Sequence, residues 1–206
     1  MGAGPWQHRP VELTQVCVFC GSNPGTDPAY VAEAEATGRA LAERGIGLVY
    51  GGGSVGLMGR VAAAVMAAGG EVTGVIPEFL DSAEIAKRDI TRLEVTSSMH
   101  ERKARMAELS DAFLALPGGI GTFEEAFEAM TWTQLGVHDK PIGLVDVSGF
   151  WAPAAALLDR AVSDGFLAAD VRSSIVVAPT TAEALDAFAS WRRPALGKWT
   201  ERDVTL

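Results

Sequence analysis

The sequence predicts an α/β protein, a mainly parallel sheet with helices on both faces. Three observations carry this. Apolar β-type runs alternate with helix-type segments along most of the chain. The strand candidates, "VCVFCG" and "SIVVAP" among them, are short and continuously apolar, as strands covered on both faces are. Two of them run into glycine turns that open helices, "YGGGSVGLMG" and "LPGGIGTFEE". A chain of 206 residues, 48% hydrophobic, is long enough to bury one full core. The expected body is a single domain over 15–191, between loose arms at 1–14 and 192–206.

The elements follow in order. "VCVFCG" (16–21) is the first strand. A helix follows, with Asp27 as N-cap, Pro28 at its first position and Gly45 as its stop. "IGLVYGGG" is a strand with its turn, and "LMGRVAAAVMAAGG" is a helix closed by a glycine pair. "EVTGVIP" is the third strand. The polar run from Glu78 to Ser98 reads as a long loop holding a short helix or strand. "MHERKARMAELS" is helical, "AFLALPGG" is a strand, and a helix opens at Thr122. "PIGLVD", the helix Phe150 to Asp164, "SIVVAP" and "TAEALDAFASW" complete the alternation.

Composition narrows the function. A net charge of −9 argues against a broad basic face for nucleic acid, so an anionic ligand needs positive charge gathered locally. No apolar run reaches the length of a membrane span, and the first residues lack a secretory h-region. The expectation is a cytoplasmic protein. Cys17 and Cys20 lie in a strand, where positions three apart point to opposite faces, so they read as small buried hydrophobes. No second cysteine pair exists, and His8, His100 and His138 are scattered, so no metal site is expected.

In parallel α/β sheets, ligands lie beyond the carboxyl ends of the strands. Three such ends carry chemistry. In "CGSNPG", Ser22 and Asn23 can donate to a phosphate or sugar, or simply shape a turn. In "YGGGSVGLMG", Gly51, Gly53 and Gly56 match G-x-G-x-x-G, but after the second strand. They serve either an anion at a helix N-terminus or close helix–strand packing. In "LPGGIGTFEE", Gly118, Gly119 and Gly121 bring main-chain N–H groups and the Thr122 hydroxyl to the positive end of a helix. That suits a phosphate. The Lys-Ser/Thr ending of an ATP-hydrolysing loop is missing.

Glu124 and Glu125 follow at once. They are either dipole-favourable helix-start carboxylates or groups facing positive charge that develops in a reaction. Arg102 and Lys103 offer counter-charge or a solvated basic face, while Glu101 and Arg105 have the spacing of a surface pair.

"PGGIGTFEE", "GGGSVGLMG" and "MHERK" in this order resemble the LONELY GUY (LOG) family, cytokinin riboside 5′-monophosphate phosphoribohydrolases often labelled lysine decarboxylases. The resemblance covers nearly the whole chain except its ends. It implies a Rossmann-like, doubly wound fold and a homodimer. It implies hydrolysis of the N-glycosidic bond of N6-modified adenosine 5′-monophosphates, with AMP a further candidate, to free base and ribose 5-phosphate. No cofactor, membrane or nucleic acid is implied.

The family's catalytic pair falls on Arg102 and Glu125. Its substrate contacts fall on Glu84, Arg102, Lys103, the run Gly118, Gly119, Ile120, Gly121, Thr122, Phe123 and Glu124, and Thr131. Ser22 and Gly53 join them from the strand-end reading. Glu78 departs from the family pattern, which often has a basic residue after the proline of "VIP". Two rivals stand beside this reading. One is a non-catalytic module sensing AMP or a dinucleotide. The other is a pyridoxal-phosphate enzyme, for which none of Lys87, Lys103, Lys140 and Lys198 has an obvious Schiff-base setting.

Overall fold

The computed structural model describes residues 12–81 and 86–194. Its elements are β1 (Gln15–Phe19), α1 (Pro28–Glu43), β2 (Gly47–Tyr50), α2 (Gly56–Ala67), β3 (Val72–Pro77), a short α3 (Glu78–Asp81) and β4 (Arg92–Thr96). They continue with α4 (Met99–Glu108), β5 (Ala112–Ala115), α5 (Ile120–Leu135), β6 (Ile142–Val145), α6 (Ala152–Ser163), α7 (Ala169–Ser174), β7 (Ile175–Ala178) and α8 (Thr181–Phe188).

The seven strands form one sheet in the order β4-β3-β2-β1-β5-β6-β7. Every pairing is parallel. The chain winds outward from β1 to β4, then returns past β1 to lay down β5. Connections from β1 and β5 therefore leave in opposite directions, and a crevice opens between their carboxyl ends.

Strand alternation divides the core. Val16, Val18 and Cys20 face a cluster that includes α1, α2 and α8 residues such as Leu41, Val61 and Phe188. Cys17 and Phe19 face the opposite cluster, with Met106 of α4, Ala126 and Met130 of α5 and Leu158 of α6. The two cysteines are buried, unpaired thiols on opposite faces, as the strand period requires.

Helix α1 opens as expected. The Asp27 carboxylate accepts from Ala29 N at 2.8 Å and Pro28 takes the first turn, a cap worth about 1 kcal/mol.

Several expectations need correction. The run from Glu78 to Ser98, expected to hold a short helix or strand, holds one of each. β4 could not be told from a helix because it is an edge strand whose Arg92 and Glu94 break the apolar run. Helix α5 begins at Ile120, before Thr122, because Gly119 takes the extended N-cap conformation. α7 was not anticipated, since "ADVRSS" carries no apolar period.

At both ends, contacts with the body reach into residues expected as arms. Asp111 Oδ2 accepts from Thr14 N (2.8 Å), Thr14 Oγ1 (2.7 Å) and Gln15 N (2.9 Å), tying Thr14 to the body. Trp191 Nε1 donates to the Ser174 carbonyl at 2.7 Å, and Pro194 is buried. Residues 1–11 and 195–206 of the arms lie outside the described residues.

Candidate active site

The glycine-bearing strand ends interlock at the β1/β5 crevice. Gly21 N donates to the Pro117 carbonyl and Leu57 N to the Gly21 carbonyl, both at 3.0 Å. Gly56, at φ +59°, leaves no room for a side chain, because its Cβ would stand 2.2 Å from the Ser22 carbonyl carbon. A Cβ on Gly53 would meet the Met58 methyl at 2.7 Å, and one on Gly51 would meet Nη2 of Arg102 at 2.1 Å. Close packing therefore accounts for Gly51 and Gly56 of the G-x-G-x-x-G match, whereas Gly53 meets only the flexible end of Met58. Gly53 is buried and bridged to Ala86, so it shapes this loop from within.

The turn before α5 is different. Gly118 is required by packing, because its Cβ would lie 2.1 Å from the hydroxyl of buried Thr122. Gly119 and Gly121 are not: nothing stands within 4 Å of either Cβ position, and neither has a positive φ. Both are exposed, as is Ile120 between them. At Gly121, inside the first turn of α5, glycine gives up stability relative to alanine without any contact that repays it, while Gly119 sits at the N-cap, where glycine is favoured over alanine. Together they leave main-chain N–H groups bare at the positive end of α5. A cleft of about 270 Å³ opens beside them, lined among others by Ser22, Asn23, Gly118, Gly119, Tyr30 and Phe150.

The α4 cations turn inward. Arg102 is buried, its Nε donating to the Val75 carbonyl at 3.2 Å and its Nη2 lying 3.2 Å from Glu125 Oε1. The two side chains are only 10% and 12% exposed. Burial pushes the Glu125 carboxyl above the usual carboxylate range. Arg102 opposes that, Glu124 adds to it, Lys103 opposes it and Glu128 adds again.

Lys103 Nζ bridges Glu124 and Glu128, the latter at 3.0 Å. Burial lowers the Lys103 pKa, but hydrogen bonds to the two carboxylates outweigh it and the net direction is upward. A solvated basic face is thus overturned for both residues: α5 supplies carboxylates to both cations. The expected Glu101–Arg105 pair also does not form. Arg105 binds Glu94 at 2.8 Å and Glu108 at 3.1 Å, and Glu101 accepts from Ser97 N at 2.7 Å.

The structure thus brings Arg102, Lys103, Glu124 and Glu125 together. Ser22, Gly118 and Gly119 share the neighbouring cleft. Thr131 lies about three turns along α5, exposed, its hydroxyl donating to the Phe127 carbonyl at 2.7 Å. Phe123 packs against Phe150 and Trp151. Glu84 lies outside the described residues. Among the described residues no group of three His, Cys, Asp or Glu could hold a metal ion. His138 stacks near Phe113, and burial lowers its pKa to about 4. Sequence reasoning missed Glu128. The available signal was its spacing, three and four residues beyond Glu125 and Glu124, which puts the three on one helix face.

A family model described as "Possible lysine decarboxylase" matches residues 58–188. The chain is 50% identical over 179 residues to the "Probable cytokinin riboside 5'-monophosphate phosphoribohydrolase LOGL1" of Oryza sativa subsp. japonica, covering 87% of this chain and 80% of the rice protein. It is 47% identical over 172 residues to the "Cytokinin riboside 5'-monophosphate phosphoribohydrolase LOG3" of Arabidopsis thaliana, covering 84% and 80%. Among solved structures, the Moco carrier protein of Chlamydomonas reinhardtii superposes with a TM-score of 0.65 at 22% identity, covering 87% of this chain and 97% of that one. The molybdenum cofactor binding protein of Rippkaea orientalis superposes at 0.66 with 20% identity, covering 87% and 97%. At such identities these two show the fold alone.

Sheet order and structural neighbours make this a Rossmann-like α/β protein with a buried Arg–Glu pair beside a main-chain cradle. More narrowly, the chain belongs to the LONELY GUY (LOG) family.

Proposed function

We propose that the protein hydrolyses the N-glycosidic bond of N6-modified adenosine 5′-monophosphates, and of AMP, releasing the free base and ribose 5-phosphate. One observation carries the reading. Glu125 and Arg102 form a largely buried pair at 3.2 Å, next to a helix N-terminus stripped of side chains at Gly119 and Gly121. The names of relatives at about half identity agree with it.

In this reading the bare N–H groups of Gly119 to Gly121, with Ser22, hold the phosphate. As the C1′–N bond breaks, positive charge grows on the sugar. The Glu125 carboxylate faces that charge in a site with little water to screen it. Water's oxygen bonds to C1′, the C1′–N electron pair leaves with the base, and the water's proton ends on the base. Arg102 is held by Val75 and Glu125, so its remaining N–H groups are aimed before the nucleotide arrives. Lys103 contacts the ligand from the same helix. Its amine is held between two carboxylates in protonated form, the opposite of what a Schiff-base lysine needs.

The homodimer implied by the resemblance would find apolar surface at Ile120, Leu135 and Val137, which are exposed. A cytoplasmic setting fits two cysteines left as thiols. No described helix is long and apolar enough to cross a membrane.

The test is chromatography of reactions with AMP, isopentenyladenosine 5′-monophosphate and its unphosphorylated riboside. Free base from the monophosphates, lost in Glu125→Gln, supports the proposal. Tight nucleotide binding with no base released would make the protein a sensor instead.

A further inference from the structure

Glu128 has no place in the reading above, yet it lines the same small cavity as Glu125 and Lys103, with Phe19, Phe113 and Trp132. Its Oε1 holds Lys103 Nζ at 3.0 Å. Lys103 has a second partner in Glu124, whose side chain is 49% exposed against 26% for Glu128. The two carboxylates are therefore unequal. Glu124, one turn into α5 and the more exposed of the two, is the partner an incoming ligand would reach first. Glu128 lies deeper, between α4 and α5.

Charge sharpens the contrast. Three carboxylates of α5, Glu124, Glu125 and Glu128, face two cations of α4, Arg102 and Lys103. With all ionised, the seam carries one negative charge in excess. The other titratable groups facing Glu125 are Cys17 and Cys20 of β1, and burial keeps both thiols neutral. Such a seam disfavours a phosphate dianion and favours a sugar that turns cationic. That is the difference between ground and transition state on which rate depends.

We propose that Glu128 is a positioning residue that anchors the Lys103 ammonium inside the α4–α5 seam and supplies the seam's excess negative charge. It acts through Lys103 and Glu125 and touches no substrate. When the ligand takes Glu124, Glu128 alone keeps Lys103 from swinging out to the phosphate. The inference rests on the hydrolase reading for its kinetic arm only.

The test is Glu128→Gln, which keeps the shape and removes the charge. Ribose 5-phosphate binding, measured by calorimetry, should tighten about threefold, because a like charge has gone. The kcat for isopentenyladenosine 5′-monophosphate should fall about tenfold while KM falls too, since the cationic state loses more than the anionic substrate gains. The acid limb of the kcat profile should move to lower pH, as Glu125 loses a neighbour that favours its protonation. Glu128→Asp should leave the limb where it is.

Unchanged ribose 5-phosphate binding together with an unmoved limb in Glu128→Gln would overturn the proposal. Loss of activity that merely follows a lowered melting temperature, with no change in the limb, would also overturn it. If Glu128→Gln does not fold at the assay temperature, Glu128→Ala decides: a limb moved to lower pH supports the charge role and an unmoved limb rejects it. A wild-type protein that releases no base would refute the hydrolase reading, while the calorimetric arm would still judge Glu128.

Discussion

Arg102 occupies the space that a side chain on Gly51 would need. A Cβ there would stand 2.1 Å from Nη2 of the guanidinium, the group paired with Glu125. The glycine turn after β2 and the helix after β4 are thus fitted to each other. Gly51 keeps the floor bare so that Arg102 can lie flat across it and reach both the Val75 carbonyl and Glu125.

Gly51→Ala is therefore expected to damage catalysis more than folding. The displaced atom is the end of a long side chain that can shift without breaking the backbone, but it is buried and paired with Glu125, so the melting temperature should fall modestly. Moving that guanidinium by about 1 Å should lower kcat/KM by about a hundredfold. A double-mutant cycle with Arg102→Ala checks the cause. Adding Gly51→Ala to Arg102→Ala should cost little more. A full additive loss would mean that Gly51 acts elsewhere.

The pH dependence follows from Glu125. Its carboxyl is raised by burial, with Arg102 opposing, and the net shift is upward. An ionised Glu125 is needed to face a cationic sugar, so activity is present above the folded-state pKa and lost as pH falls through it. The acid limb of kcat/KM should lie above pH 4.5, the ordinary glutamate value. Stability runs the other way. The folded state holds this proton more tightly than the unfolded chain. The group's contribution is greatest below the unfolded pKa and declines as pH rises through the folded one. A wild-type limb at or below the ordinary value would contradict the buried-carboxylate account.

The sheet was legible because its strands are buried on both faces, and continuous apolar runs such as "VCVFCG" and "IGLVYG" have few other readings. β4 was legible only as a short helix or strand, because Arg92 and Glu94 interrupt the apolar run of an edge strand. At the site, the glycine loops could be located but not sorted. Gly51 and Gly119 look alike in the sequence, and only the neighbours in space separate a packing glycine from a bare one. The pairing of α4 cations with α5 carboxylates was hidden for the same reason, since Lys103 and Glu128 are 25 positions apart.

Asp111 shows how short-range reading fails at chain ends. Its Oδ2 gathers Thr14 N, Thr14 Oγ1 and Gln15 N, fastening the start of β1 to the start of β5. Burial raises its pKa, but hydrogen bonds from Thr14 and Gln15 outweigh that, and the carboxyl ends below its usual value. Asp111→Ala should cost about 1–2 kcal/mol at neutral pH, read by urea denaturation. The native advantage is present above the unfolded pKa and is lost as pH falls through the folded one. Wild type and variant should therefore converge at pH values below the ordinary aspartate range. A gap that persists there would assign the effect to packing instead.

Gly121 offers the sharpest separation of fold from function. It lies in the first turn of α5 with a negative φ, and its Cβ position is open for 4 Å around. Nothing in the chain itself asks for glycine. Gly121→Ala should therefore leave the fold unharmed and stabilise it by about 0.5 kcal/mol, through reduced freedom of the unfolded chain. If the bare N–H groups receive the phosphate, the added methyl stands between ligand and backbone. KM for the monophosphate should rise about tenfold or more while the melting temperature climbs slightly. A variant that is stabilised and binds the nucleotide as well as wild type would remove the cradle from α5. Gly118→Ala is the matching contrast. Its Cβ would meet the Thr122 hydroxyl at 2.1 Å and Gly21 N at 2.8 Å, so stability and binding should fall together.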